Sequence, residues 1–249
     1  MSRAARFWSS WTSSLAAAAL LFAGCGGAWH ARIDGPFLEG SGQYWLVRAH
    51  GKPHAVVVLL HGLVRNTGEQ LEAWQLHLAE QGDDVIFPRY EDPPPDPNAR
   101  DNIVSAVEQG LETLGDPQAP LVLMGHSRGG RLAAEAAAFL KPSLVIAIFP
   151  GLINARLEPD TNLGLIPHTA DVDIFVGDRD TSVGTAGAIE LDSRLARDGF
   201  PDAQIHRAII RSRRGFVADH ASVYDVTPEA KRAIWAQMDA LIARVANRP

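Results

Sequence analysis

Two hydrophobic patterns alternate along the chain from Tyr44 to the C-terminus. The first is a short, unbroken run of β-branched and other apolar residues, as in AVVVLLHG from Ala55 to Gly62. Such a run is typical of a strand that is buried on both faces of a sheet. The second pattern places apolar residues at helical spacing, as between Thr67 and Gln81. The alternation predicts a sheet covered by helices on both faces.

These patterns give bounds for each element. Strands are predicted at 44–49, 55–62, 83–90, 119–127, 143–151, 172–178 and 204–212. Helices are predicted at 67–81, from about 103 to 114, at 128–140, at 186–197 and from Pro228 to about 246, the last with Thr227 as its N-cap. With right-handed crossovers, they form a doubly wound, mostly parallel α/β sheet in one domain, 43–249.

One connection in this domain is long enough to cover part of the surface. It runs from Leu152 to Thr169 and has 18 residues. That length is too short for a large cap domain, so we expect none. The segment either rims a pocket or is a plain surface loop.

The first 42 residues follow a different pattern. Arg3 and Arg6 precede an apolar run from Leu15 to Ala23, which is too short to span a bilayer but fits the centre of a secretory signal. The stretch LFAGC, which overlaps the end of this run and closes at Cys25, the only cysteine of the chain, resembles the lipobox of bacterial lipoproteins. We expect a signal peptide over 1–24, lipid on Cys25, and a Gly-rich tether over 25–42. The alternative is an ordinary cleaved signal with an incidental thiol.

Composition narrows the class of protein. The chain has 249 residues, of which 46% are hydrophobic, so it can build a sizeable core without a disulfide. Its formal charge of −6 and the absence of a Lys/Arg block argue against nucleic-acid binding. The motifs HExxH, CxxC and the P-loop are absent, so we expect neither a metal nor an organic cofactor. The oligomeric state is left undetermined.

The stretch LMGHSRGGRL contains a candidate nucleophile, Ser127. It lies between Gly125 and Gly129, at the end of a predicted buried strand and the start of a predicted helix. This is the position of a nucleophile elbow, where the sharp turn strains the serine and only small residues fit two positions before and after it. The alternative is an ordinary helix N-cap serine.

A serine nucleophile needs a base and an acid, which follow it along the chain in this fold class. His220 lies in the loop between the last predicted strand and the last predicted helix, and is the candidate base; His206 lies within a strand. For the acid, Asp178 and Asp180 both follow the strand that ends at Gly177. Asp219 is a remote third candidate, because a residue rarely faces the ring of its neighbour in sequence.

An oxyanion hole needs two N–H donors. One is expected from the backbone of Arg128, the residue after the nucleophile, and the other from the backbone of Leu63, after the tight turn that Gly62 allows. His61 is expected to be structural. The Arg128 side chain is either solvated or paired with a carboxylate, or it lines the pocket and favours polar or anionic substrates.

Taken together, HGL at 61–63, GHSRG at 125–129, GDRD at 177–180 and His220 resemble the α/β-hydrolase superfamily, from about residue 44 to the C-terminus. The resemblance implies the α/β-hydrolase fold and favours Asp180 over Asp178 as the acid. It also implies esterase-type chemistry without a cofactor. More narrowly, GDRDTSVG and GFVADHASVY are similar to a group of bacterial secreted hydrolases.

The leading hypothesis is an exported carboxylic-ester hydrolase, periplasmic or on the cell surface, anchored by lipid on Cys25 to a bacterial membrane. It would act on a small-molecule or lipid-like ester with Ser127, His220 and Asp180. The same residues would also serve an acyltransferase, a thioesterase or an amidase. An alternative from another class is a catalytically silent binding lipoprotein on the same scaffold.

Overall fold

The structure is a computed structural model that describes residues 29–63, 69–153 and 158–248. The predicted signal peptide and Cys25 lie outside the described residues. Among the residues that are described, no helix is long and apolar enough to cross a bilayer.

From β3 onward, α-helices connect most of the strands of the described chain. The strands are β1 (Ile33–Phe37), β2 (Tyr44–Val47), β3 (Val56–Leu60), β4 (Asp84–Pro88), β5 (Leu121–His126), β6 (Leu144–Ile148), β7 (Asp171–Gly177) and β8 (Ile205–Ile210). The helices are α1 (Glu72–Glu80), α2 (Ala99–Leu114), α3 (Arg128–Leu140), α4 (Ala186–Arg197), α5 (Pro228–Ala230) and α6 (Ala236–Ala246), with a π-helical segment, Lys231–Trp235, joining α5 to α6. Short 3₁₀ turns lie at Gly40–Gly42, Glu69–Leu71, Leu163–Leu165, Asp202–Gln204 and Ser222–Tyr224.

The strands form one eight-stranded sheet in the order β1-β2-β4-β3-β5-β6-β7-β8. β1 and β2 pair antiparallel to their neighbours, whereas β4, β3, β5, β6, β7 and β8 are parallel. β3, β4 and β6 are buried along their whole length, which explains the unbroken apolar runs of β3 and β6. The predicted doubly wound, mostly parallel sheet with flanking helices is confirmed.

Helices cover the two faces of the sheet in two separate cores. Alternate residues of a strand point to opposite faces, so Val56 and Val58 of β3 lie in one core and Val57 in the other. The first core is closed by α2, α3 and α4, and the second by α1 and by α5 with α6. The carboxyl ends of the parallel strands are left open, and the loops that follow them meet there.

The start of the chain corrects one boundary. The predicted tether, 25–42, contains β1, which pairs antiparallel with β2 from Ile33 to Phe37. The sheet therefore begins at Ile33 rather than after residue 42. The strand IDGPF carries no alternation, and its internal Pro36 is compatible only with an edge strand, so sequence pattern did not reveal it.

The last helix begins where it was predicted. The Thr227 Oγ1 accepts a hydrogen bond of 3.3 Å from the Ala230 amide, and Pro228 occupies the first turn. The π-helical segment that follows was not predicted, because the apolar spacing alone does not distinguish it from α-helix.

The connection from β6 to β7 adds no large cap in the part that the structure describes. Its described residues, 149–153 and 158–170, contain one short turn, Leu163–Leu165, and residues 154–157 lie outside the description. The residues from Glu158 onward pack against α3.

Candidate active site

Ser127 lies on a strained turn between β5 and α3. Its φ of 55° is in the left-handed region, which residues other than glycine rarely adopt. A Cβ added at Gly125 would lie 2.3 Å from the carbonyl oxygen of Gly129, and one added at Gly129 would lie 2.3 Å from that of His61. The two glycines are therefore required by the close approach of backbone to backbone. A sharp turn of this kind between a buried strand and a helix is the structural context that a nucleophile elbow requires.

Three side chains form one hydrogen-bonded chain at this turn. His220 Nε2 lies 2.9 Å from Ser127 Oγ, and His220 Nδ1 lies 2.8 Å from Asp180 Oδ2. Asp180 follows β7 and His220 lies in the loop after β8, so the carboxyl edge of the sheet brings both to the end of β5. In this arrangement the carboxylate can hold the imidazole with Nε2 facing the serine hydroxyl.

The second oxygen of Asp180 is fixed by backbone donors. Asp180 Oδ1 accepts hydrogen bonds from the amides of Ser182, at 2.8 Å, and Val183, at 3.1 Å. Burial alone would raise the pKa of Asp180, but the hydrogen bond from His220 and those from the two amides hold it below its usual value. Asp180 is therefore kept as a carboxylate that accepts from His220.

The two other candidate acids have different partners. Asp178 Oδ1 accepts from the Ser212 amide at 2.9 Å and from the Ser212 hydroxyl at 2.6 Å, which ties the turn after β7 to the end of β8. Asp219 Oδ1 accepts from the Ala221 amide at 3.1 Å. Of the three aspartates, it is Asp180 that is hydrogen-bonded to His220.

The predicted oxyanion donors border the same turn. A Cβ at Gly62 would lie 3.4 Å from the Ser127 Cβ, so the loop after β3 packs directly on the turn that carries Ser127. Leu63 and Ser127 line one cleft. Arg128 is the first residue of α3, where the backbone N–H has no acceptor within its own helix.

His61 holds the peptide that carries one of these donors. Its Nδ1–H donates to the Gly62 carbonyl at 2.7 Å, and its ring stacks on Tyr90 with the ring centroids 4.0 Å apart. Burial lowers the pKa of His61 to about 4, so the ring is neutral. Because C=O and N–H of a trans peptide point in opposite directions, this hydrogen bond also orients the N–H of Leu63.

Two residues that the sequence did not single out also contact this site. The Tyr224 hydroxyl lies 2.9 Å from His126 Nδ1, and the ring centroid of His126 lies 4.6 Å from that of His220. Tyr224 follows His220 in the same loop, whereas His126 directly precedes Ser127. Their contact joins the loop of the candidate base to the turn that carries the candidate nucleophile.

The Arg128 side chain is buried and paired with two carboxylates. Its guanidinium forms ion pairs with Glu91 and Glu158, and its Nη2 donates to the Asp96 carbonyl at 2.8 Å. These carboxylates offset the unfavourable position of a cation at a helix N-terminus. The structure supports the paired-arginine interpretation.

This pair belongs to a larger buried network along α3. Arg131 Nη2 lies 2.6 Å from Glu158 Oε2, and Arg131 Nη1 lies 2.8 Å from Glu135 Oε1. Arg194 of α4 contacts the same oxygen of Glu135 at 2.8 Å, and Asp160 at 3.0 Å. The network fastens the middle of the 152–169 connection, at Glu158 and Asp160, to α3 and α4.

The cleft above Ser127 has a volume of about 420 Å³. It is lined by Gly62, Leu63 and Ala221 and by seven residues with polar side chains, namely His126, Ser127, Thr181, Ser182, Asp219, His220 and Tyr224. A larger cavity, of about 870 Å³, opens at the opposite edge of the sheet and is lined by none of the three hydrogen-bonded residues. We locate the candidate site by its chemistry rather than by cavity size.

One group of side chains in the described chain has metal-ligand spacing. Asp171, Asp173 and His206 bring ligand atoms within 4.8 Å of one another, at the amino ends of β7 and β8. Arg244 contacts Asp171 at 2.9 Å and Asp173 at 3.0 Å, and Arg248 contacts Asp171 at 2.5 Å. These guanidinium groups already neutralise the carboxylates, so the group is explained by ion pairing.

Both the sequence and the structure are similar to known proteins. The model of the family described as "Alpha/beta hydrolase family" matches residues 57–249. No curated protein matches the sequence.

Solved structures share the fold at low sequence identity. An alpha/beta hydrolase enzyme from a Medee basin deep-sea metagenome library is 12% identical, with a TM-score of 0.65, over 88% of this chain and 99% of the other. Esterase B from Lactobacillus rhamnosis, solved with a tributyrin phosphonate, is 13% identical, with a TM-score of 0.64, over 86% of each chain. Carboxyl esterase 2 from Tuber melanosporum is 16% identical, with a TM-score of 0.61, over 87% of this chain and 85% of the other.

Proposed function

The chain belongs to the alpha/beta hydrolase family, and from that premise we propose that it is a serine hydrolase that cleaves carboxylic esters. The observation that carries the proposal is the hydrogen-bonded chain from Asp180 through His220 to Ser127, at the mouth of one cleft. Esterases among the proteins of similar fold are consistent with it.

In the proposed reaction the hydroxyl of Ser127 attacks the ester carbonyl as His220 Nε2 takes its proton. The new Oγ–C bond gives a tetrahedral intermediate, whose oxyanion is bound by the backbone N–H groups of Leu63 and Arg128. The intermediate collapses, the C–O bond of the alcohol breaks, and the alcohol leaves with the proton from His220. Asp180 stabilises the imidazolium throughout.

Water then completes the turnover. It gives a proton to His220 and attacks the acyl-enzyme, and the second intermediate releases the carboxylic acid and restores the Ser127 hydroxyl. No cofactor is needed in this sequence of steps, because nucleophile, base and oxyanion donors all come from the chain.

The test is the turnover of p-nitrophenyl butyrate by Ser127→Ala. We expect turnover to fall to background while the circular dichroism spectrum stays unchanged. Ser193→Ala is the matched control, because this serine of α4 is exposed and donates within its own helix, to the Ile189 carbonyl at 2.7 Å. Undiminished turnover by Ser127→Ala would refute the assignment.

Labelling distinguishes this proposal from a silent binding protein on the same scaffold. A fluorophosphonate probe should modify the wild type and Ser193→Ala but not Ser127→Ala. If the folded wild type is not labelled, the silent alternative is favoured. Hydrolysis and acyl transfer are then distinguished by adding alcohol, thiol or amine acceptors. Hydrolysis leaves the acyl group in the free carboxylic acid, whereas acyl transfer places it on the added acceptor.

The same proposal includes export and a lipid anchor. Residues 1–24 would be removed as a signal peptide, and lipid on Cys25 would hold the domain to a bacterial membrane, in the periplasm or on the cell surface. In detergent phase partitioning, the wild type should enter the detergent phase and Cys25→Ser should stay in the aqueous phase. Equal partitioning would remove the anchor from the proposal.

A further inference from the structure

The start of the described chain lies at the edge of the sheet opposite the candidate active site. β1 is antiparallel to β2, and β2 is antiparallel to β4, so β1 runs in the same direction as β4. Because β4, β3 and β5 are parallel, β1 also runs parallel to β3 and β5. Its first residue, Ile33, pairs with Val47 of β2, which in turn pairs with Val85 of β4. Val85 pairs with Val57 of β3, and Val57 pairs with Val122 of β5. Ile33 therefore lies at the same height in the sheet as Val122, near the beginning of β5. Ser127 follows the other end of β5.

Trp29 lies beyond that level, on the side away from Ser127. Its ring centroid is 5.4 Å from that of His50, which follows the end of β2 at the amino edge of the parallel strands. Along β5, the five residue steps from Val122 to Ser127 cover about 17 Å. The cleft residues stand farther out still, in the loops above Ser127.

The chain between Cys25 and Trp29 is short. Its four residue steps reach at most about 14 Å in any conformation. To lay the cleft against a bilayer, the chain would have to span the whole height from the amino edge of the sheet to beyond Ser127. It is too short for that.

Resting on the anchor and the hydrolase activity proposed above, we infer that the cleft cannot meet the bilayer that holds Cys25. The amino edge of the sheet stays near that bilayer and the cleft opens into the aqueous phase. The substrate is therefore an ester that reaches the enzyme through water, rather than a lipid of the enzyme's own membrane.

The orientation can be measured without activity. In the mature lipidated protein, which begins at Cys25, that thiol is blocked. Cys25 is the only natural cysteine, so an introduced cysteine is the single site that takes a fluorophore. Lys52→Cys places the label at the amino edge of the sheet. Val217→Cys places the label at the carboxyl edge, because the neighbouring Ala218 carbonyl accepts a hydrogen bond of 3.1 Å from the amide of Arg179, in the turn after β7. Each protein is reconstituted in phosphatidylcholine vesicles that contain a lipid with a nitroxide on its headgroup. The nitroxide quenches the fluorescence of labels that come into contact with the membrane surface.

We expect the label at residue 52 to lose most of its fluorescence and the label at residue 217 to keep it. Equal quenching, or stronger quenching at residue 217, would overturn the inference. A variant with about 20 Gly/Ser residues inserted between Gly27 and Ala28 has a tether of about 25 Å and should lose the difference between the labels. A difference that persists would show that tether length does not set the orientation, and would also overturn the argument.

Activity gives the second measurement. The wild type should hydrolyse p-nitrophenyl palmitate in its own vesicles no faster than in separate vesicles, while p-nitrophenyl butyrate in solution is cleaved at the same rate as by Cys25→Ser. Preferential cleavage in its own vesicles would overturn the inference. Loss of butyrate cleavage by both forms would instead refute the proposed hydrolase, and protein found wholly in the aqueous phase would remove the anchor and the orientation with it.

Discussion

Replacement of Asp180 by asparagine should leave the fold intact and remove nearly all turnover. Asp180 Oδ1 accepts from the amides of Ser182 and Val183, and only an oxygen can accept there. The asparagine oxygen is therefore held at this position, and its NH₂ group faces His220 Nδ1. That nitrogen must now accept, so the proton moves to Nε2, which can no longer take the proton of Ser127.

The size of the effect follows from this change of tautomer. Loss of the base through the wrong tautomer lowers kcat by about 10⁴ in a serine triad. A factor of 10⁴ corresponds to about 5.4 kcal/mol of transition-state stabilisation. Because both backbone hydrogen bonds persist, the free energy of unfolding should change by no more than about 1 kcal/mol.

The assay is kcat/KM for p-nitrophenyl butyrate, with urea unfolding measured in parallel. Asp178→Asn is the matched control, since Asp178 bonds to Ser212 rather than to His220, and it should keep wild-type turnover. Turnover by Asp180→Asn within tenfold of the wild type would refute the reasoning. An equal loss in Asp178→Asn would refute it as well.

Three further predictions concern other contacts. Glu158→Gln weakens the ion pairs with Arg128 and Arg131 and should lower the free energy of unfolding by about 2–4 kcal/mol, or the Tm by about 5–15 °C. Tyr224→Phe removes a hydrogen bond worth about 1 kcal/mol and should lower kcat about fivefold with little change in KM. Burial raises the pKa of Asp83 to about 6, so the folded state keeps a proton that the unfolded chain releases, and stability falls as pH rises from about 4 to 6. Asp83→Asn should therefore match the wild type near pH 3 and be more stable by about 2–3 kcal/mol at pH 8, as measured by urea unfolding at each pH.

Each of these has a result that contradicts it. An unchanged Tm in Glu158→Gln would mean that the buried pairs are not stabilising. A rise in KM with kcat unchanged in Tyr224→Phe would place the hydroxyl in substrate binding instead of in the support of the His220 loop. A stability difference for Asp83→Asn that does not depend on pH would exclude a protonation effect.

Much of the fold could be predicted, because the signals that determine it are local. The unbroken apolar runs of β3, β5 and β6 and the helical spacing of α2, α3 and α4 each reflect which side of a single element is buried. β1 was missed because an edge strand with one glycine and one proline has no such period. The family match supports the same fold from an independent direction.

The sequence by itself determined which residue types stand after which strands. Ser127, Asp180 and His220 follow β5, β7 and β8 in the order that a serine hydrolase needs, and their roles stay predictions until they are tested. This much is determined locally, because strand ends and turn residues are visible in short stretches of chain.

Only the tertiary structure decided which side chains meet. It brings Asp180 rather than Asp178 to His220, surrounds Arg128 with Glu91 and Glu158, and joins His126 to Tyr224, 98 residues away along the chain. Such pairs depend on where loops from distant elements pack against one another. No pattern within one element carries that information, because a hydrogen bond is set by distance and direction in space and not by separation in sequence.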